Sequence, residues 1–114
     1  AMMSGGKASG GTRRQKEMRK ALRVTVPRIP FADAEPVLAG ALAPHLRHMP
    51  PSVAVWLALV AHVRHVHSDY DALLDEGYER DAARYFALTS INDTLLDWGA
   101  TRQVTADEEE ISED

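Results

Sequence analysis

The run Val53-Ala54-Val55-Trp56-Leu57-Ala58-Leu59-Val60-Ala61 is unbroken apolar sequence, introduced by Pro50-Pro51-Ser52. It is far shorter than the roughly 20 residues needed to span a bilayer, and too apolar to lie on a protein surface. The double proline stops one element and the serine starts another. From Ser52 or Val53 to Val66, the residues Val53, Trp56, Leu57, Val60 and Val63 recur at helical spacing. Such a helix must be covered on most sides, so the rest of the chain has to supply partners for it. The expected fold is all-α, a compact bundle of about four helices with this one at its centre.

The partners are readable from their ends. Asp33 can cap a helix that has Pro36 in its first turn and runs through Val37, Leu38 and Leu42 to about Ala43. Pro44 to Pro50 forms a polar connection carrying His45, Arg47 and His48. Ser68-Asp69-Tyr70-Asp71 has the pattern of a capping box, opening a short helix to about Glu76 that Gly77 closes. A last helix runs from about Glu79 to Trp98, with Ala82, Tyr85 or Phe86, Leu88, Ile91, Leu95 and Trp98 at helical spacing, and Gly99 ends it. Val24 to Pro30, with Pro27 and Pro30, reads as extended chain lying across the helices as a strap. The alternative for residues 52–76 is one continuous helix. At about 100° per residue, His67 would then share a face with Trp56, Val60, Val63 and Tyr70, while His62, His65 and Asp69 fall opposite.

Charge divides the chain into three parts. Residues 1–30 hold eight basic side chains against the single acid Glu17, residues 103–114 hold six acids and no base, and the net charge is -4. The expected organisation is a flexible basic arm over 1–22, a helical domain over 23–102 and an acidic disordered tail over 103–114. Arg13, Arg14, Lys16, Arg19, Lys20, Arg23 and Arg28 are the candidate nucleic-acid contacts, because a cationic arm on an acidic body suits a phosphate backbone. The same arm can instead be a solubilising tail or dock on an acidic protein. Without cysteine there are no disulfides or thiolate metal sites. With no signal-peptide core near the N-terminus, the chain reads as soluble, cytoplasmic and without membrane contact.

The stretch His62 to Asp71 gathers the groups able to do chemistry. His62 and His65, at i and i+3, with Asp69, can supply three ligands to zinc or another divalent metal. The same residues also make an ordinary solvated face with a His–Asp pair. His67 reads as a core histidine satisfied by a carbonyl or by Asp71, or else as a general base beside Tyr70. Arg64, Arg80 and Arg84 can form an anion pocket, or each neutralise an acid such as Glu76, Glu79 or Asp81. Ser68 to Trp98 has the outline of a helix-turn-helix, but Glu79-Arg80-Asp81 is a poor start for a recognition helix.

The run from His62 through Arg64-His65, His67-Ser68, Tyr70-Asp71, Leu73-Leu74, Gly77, Arg80 and Ala83-Arg84, ending at Trp98, resembles a family known as domain of unknown function 2293. Ser68 stands where the family pattern has threonine, which keeps the hydroxyl. The resemblance implies short bacterial members and longer fungal ones, with no activity, cofactor or partner to carry over. It marks His65, His67, Tyr70, Arg80 and Arg84 as either a polar network that fixes helix packing or a binding site, and with Arg64 and Asp71 they make up the candidate polar site. The preferred reading is a non-enzymatic interaction module without a cofactor, associated with nucleic acid through the arm. The first rival is a protein-binding or homo-oligomerising adaptor, and the second a metal protein or enzyme using the His62–Asp71 cluster.

Overall fold

A computed structural model of the protein describes residues 11–105, and among them all regular structure is helical. Five helices follow one another: α1 (Arg13–Thr25), α2 (Phe31–Ala41), α3 (Pro51–Val66), α4 (Tyr70–Asp75) and α5 (Arg80–Asp97), with a single 3-10 turn, Pro44–Leu46, between α2 and α3. The disorder expected of residues 1–10 and of the acids from Asp107 onward lies outside the described residues.

Helix α3 is the central element, as its apolar run requires. It packs against every other helix. Ala54, Val55, Trp56, Ala58, Leu59, Val60 and Val63 are buried along it. Val53 is exposed and Leu57 only half-buried, so the open strip of α3 runs through two residues expected in the core.

Helix α1 was expected as part of a flexible arm and is instead a docked helix. Thr12 caps it reciprocally: its Oγ1 accepts the Gln15 backbone N–H at 3.1 Å, and Gln15 Oε1 accepts the Thr12 N–H at 3.1 Å. Met18 and Leu22, four residues apart, are buried, and Val26 just beyond the helix continues the row. Burying three such side chains is worth about 1.5–3 kcal/mol each, enough to hold a short helix against its neighbours. The boundary expected at residue 22 therefore falls inside an element that packs on α2 and α3.

The strap expected over 24–30 shortens to a turn after Val26. Arg28 donates its backbone N–H to Trp98 O at 2.9 Å and its Nε–H to Asp97 O at 3.1 Å, closing the carbonyl end of α5. Gly99, at φ +95°, follows directly, and a Cβ there would meet Pro27 Cγ at 3.0 Å. The bundle also extends past residue 102. Asn92 holds the Val104 backbone through both its amide atoms, at 2.7 and 3.1 Å, and Val104 is buried. The Arg102 guanidinium lies 4.0 Å from the centre of the Trp56 ring.

Helix α2 starts at Phe31, two residues before the expected cap, with Pro30 at its N-cap and Pro36 inside it. Asp33 is thereby released from capping and reaches toward α3. The chain over 52–76 is two helices. Ser68 Oγ donates to the Arg64 carbonyl and accepts the Tyr70 N–H at 3.2 Å, so one hydroxyl ends α3 and begins the approach to α4. The capping box with Asp71 does not form; Asp69 occupies the N-cap without a side-chain bond. Gly77, at φ +102°, ends α4 as expected. In α5 the buried face is Ala83, Arg84, Ala87, Ile91 and Leu95, which leaves Tyr85 and Phe86 exposed.

Candidate functional site

Two constellations emerge from this fold, one of charge and one of histidines. On α1, about 100° per residue places Arg13, Lys16, Lys20 and Arg23 within an arc of about 80°, opposite Met18 and Leu22. All four are exposed, and among the described residues none has an ion-pair partner. The stripe rises about 15 Å from end to end. Glu17 lies at its edge as the one acid of the helix. The other expected arm contacts are placed differently. Arg14 turns inward and donates from Nη2 to Leu46 O at 3.0 Å. Arg19 is half-buried, and Arg28 is engaged at the end of α5.

The helix break at His67 rearranges the histidines. On an unbroken helix His62 and His67 would face opposite ways, but His67 is the C-cap residue of α3, with φ -119° and ψ 17°. Its ring swings back to 5.8 Å from the His62 ring, at an interplanar angle of 68°. Both imidazoles meet Asp33: His62 Nε2 lies 2.8 Å and His67 Nε2 2.7 Å from the same Oδ1. The edge of Trp98 packs against His67 at 5.3 Å. The Asp33 and His62 side chains are 14% and 12% exposed and His67 34%, so the cluster opens to solvent on its His67 side. Burial pushes the Asp33 carboxyl up, but the hydrogen bonds from His62 and His67, with the charge those rings carry when protonated, outweigh it and hold it below its ordinary value.

The metal set expected from sequence, His62 with His65 and Asp69, is not the one assembled here. His65 points elsewhere, its Nδ1 2.8 Å from Asp71 Oδ1, with Tyr70 edge-on at 5.3 Å. Tyr70 is buried, with the Arg64 guanidinium 5.6 Å from its ring centre. Arg64 and Arg84 are both buried, and Arg84 pairs with Asp81, whereas Arg80 is exposed. The candidate polar site therefore separates into Arg64 buried beside Tyr70, Arg84 buried and paired with Asp81, an exposed His65–Asp71 pair, and His67 facing α2. Sequence reasoning missed Asp33 as the acid that joins the histidines. It lies 29 residues from His62 and 34 from His67, so no local spacing announces it.

A family described as an uncharacterized conserved protein (DUF2293) matches residues 21–99. No curated protein matches the chain, and no solved structure matches it. Among the described residues no helix is long and apolar enough to cross a membrane.

Proposed function

The chain belongs to the uncharacterised DUF2293 family, and from that premise we propose that it is a cytoplasmic, non-enzymatic module that binds nucleic-acid phosphates through the outer face of α1. The observation that carries this reading is the exposed row Arg13, Lys16, Lys20 and Arg23 on a helix whose apolar side is already docked. With Met18 and Leu22 buried, Val24 is the one large apolar side chain that α1 exposes, too little to insert a helix into a lipid surface. Gln15, the one amide on the helix suited to reading a base edge, is committed to the Thr12 cap. Binding is then set by charge and tolerant of sequence.

The test is fluorescence anisotropy of short duplex DNA and single-stranded RNA against the full chain as salt is varied. Four phosphate contacts give a slope of log K against log salt of about -3.6 on duplex, a loss of about 150-fold between 50 and 200 mM. Replacing all four residues by glutamine flattens the slope toward zero, and Lys16→Ala alone reduces it by about 0.9. No binding to either nucleic acid, or a slope that the fourfold variant leaves unchanged, refutes the proposal.

One observation favours the adaptor reading. Tyr85 and Phe86 are 67% and 57% exposed, and Tyr78 joins Phe86 edge-on at 5.7 Å, forming an aromatic patch at the start of α5. Patches of this kind mark association surfaces. An adaptor that pairs with itself through the patch shows concentration-dependent mass in sedimentation, abolished by Phe86→Glu; a constant monomer mass excludes self-association.

A further inference from the structure

Asp33, His62 and His67 form a cluster that phosphate binding does not use. Each offers one donor atom, and the three donors all lie within 4.8 Å of one another. We propose that these side chains bind one divalent first-row transition-metal ion, for which zinc is the first probe.

The donor set is chemically apt. Two imidazole nitrogens and one carboxylate oxygen recur as protein ligands of zinc and of non-haem iron, with the remaining positions left to water. Bonds of about 2.0–2.2 Å in a tetrahedron separate neighbouring donors by about 3.3 Å. The His–Asp distances of 2.8 and 2.7 Å are shorter than that, so an entering ion has to spread the donors by about half an ångström. Rotation of the imidazoles supplies that movement without moving a helix. Asp33 and His62 stand on α2 and α3, so two ligands are carried by packed helices, while His67 at the helix end supplies the adjustable third. The opening beside His67 admits ion and water.

The proton balance closes. Each imidazole directs Nε2 at Asp33, and a metal takes the Nε2 lone pair in place of that proton. The displaced proton moves to Nδ1 when the ring is neutral, or leaves to solvent when it is an imidazolium. One ion then replaces a hydrogen-bonded bridge between α2 and α3 by a coordinate one.

The experiment uses the full chain, stripped with chelator and then titrated with zinc or cobalt(II). The expected result is uptake of one ion per chain in equilibrium dialysis, with visible d–d absorption for cobalt. At a zinc concentration about a hundredfold above Kd, the melting temperature rises by about 10 °C or more. His67→Gln keeps an amide able to donate to Asp33 but removes a good ligand, and both uptake and the melting shift are lost. His65→Gln, outside the cluster, retains them. Wild-type chain that takes up no stoichiometric ion and shows no shift overturns the proposal, leaving the cluster a hydrogen-bonded tie. Uptake undiminished in His67→Gln overturns it too, since the ion would then sit elsewhere. Should either variant misfold by circular dichroism, wild-type stoichiometry and the cobalt spectrum decide the question alone.

Discussion

Met18→Ala separates a docked helix from a basic arm. Met18 is almost wholly enclosed where α1 meets α2 and α3. Truncating a buried methionine removes its transfer free energy and leaves a cavity, together costing about 2–5 kcal/mol. Alanine has slightly the better helix propensity, so the backbone works weakly in the other direction. A loss of about 3 kcal/mol is a large part of the 5–15 kcal/mol that holds a domain of this size, and lowers its melting temperature by about 12–24 °C. Val24→Ala in the same helix is the control: at 73% exposure it should change stability by less than about 0.5 kcal/mol. Urea unfolding followed together by circular dichroism and by Trp56 and Trp98 fluorescence measures both variants. If Met18→Ala unfolds at the same midpoint as Val24→Ala, or α1 melts in a separate early step with the tryptophan signal unchanged, the helix is an appendage and the reasoning fails.

Two further perturbations probe the other junctions. Because the Asp33 carboxyl is held below its ordinary value, its contribution is complete above about pH 4 and is lost as pH falls through the folded-state pKa. Asp33→Asn, compared in chelator, should lose roughly 1.5–3 kcal/mol at neutral pH and show a shallower acid-side decline; a variant that matches the parent at both ends of a pH–urea series contradicts this. Gly77 and Gly99 both have positive φ, but a Cβ at Gly77 meets nothing within 4 Å, whereas at Gly99 it meets Pro27 and Arg28 at 3.0–3.3 Å. Alanine at 77 should cost about 1 kcal/mol from backbone strain alone. Alanine at 99 should cost measurably more by thermal melting, and equal losses would mean that the Pro27–Arg28 turn yields freely.

What the sequence discloses depends on how local its signals are. The α3 run, the glycine ends at Gly77 and Gly99 and the extent of α5 are each written within a few residues, and the all-helical bundle follows from them. Helix α1 hides its apolar row, because Met18, Leu22 and Val26 are single residues among charges, and Pro27 makes their end look extended. In α5 the bulk of Tyr85 and Phe86 suggests a buried face, yet the small Ala83 and Ala87 occupy it, since packing selects for fit as well as hydrophobicity. The histidine pairing was hidden for another reason. The helix break it needs is marked by Ser68, but the acid that joins the two rings comes from a different helix, about 30 residues away.

The docking of α1 changes what its charges can do. An unstructured arm that became helical on a phosphate backbone would have to fix about 1–2 kcal/mol of backbone entropy per residue at the moment of binding. In this fold Met18, Leu22 and the Thr12–Gln15 cap have already fixed α1, so Arg13, Lys16, Lys20 and Arg23 stand in one row before any ligand arrives. The apolar side of the helix and its cationic side are therefore thermodynamically coupled, although no residue belongs to both. Met18→Ala touches no phosphate contact, yet at a temperature where it is partly unfolded and the parent is still folded, it should weaken nucleic-acid affinity in proportion to the folded fraction lost, while leaving the four charges intact. Affinity that survives Met18→Ala unchanged under those conditions would mean that the row assembles on the ligand and that preorganisation by the core contributes nothing.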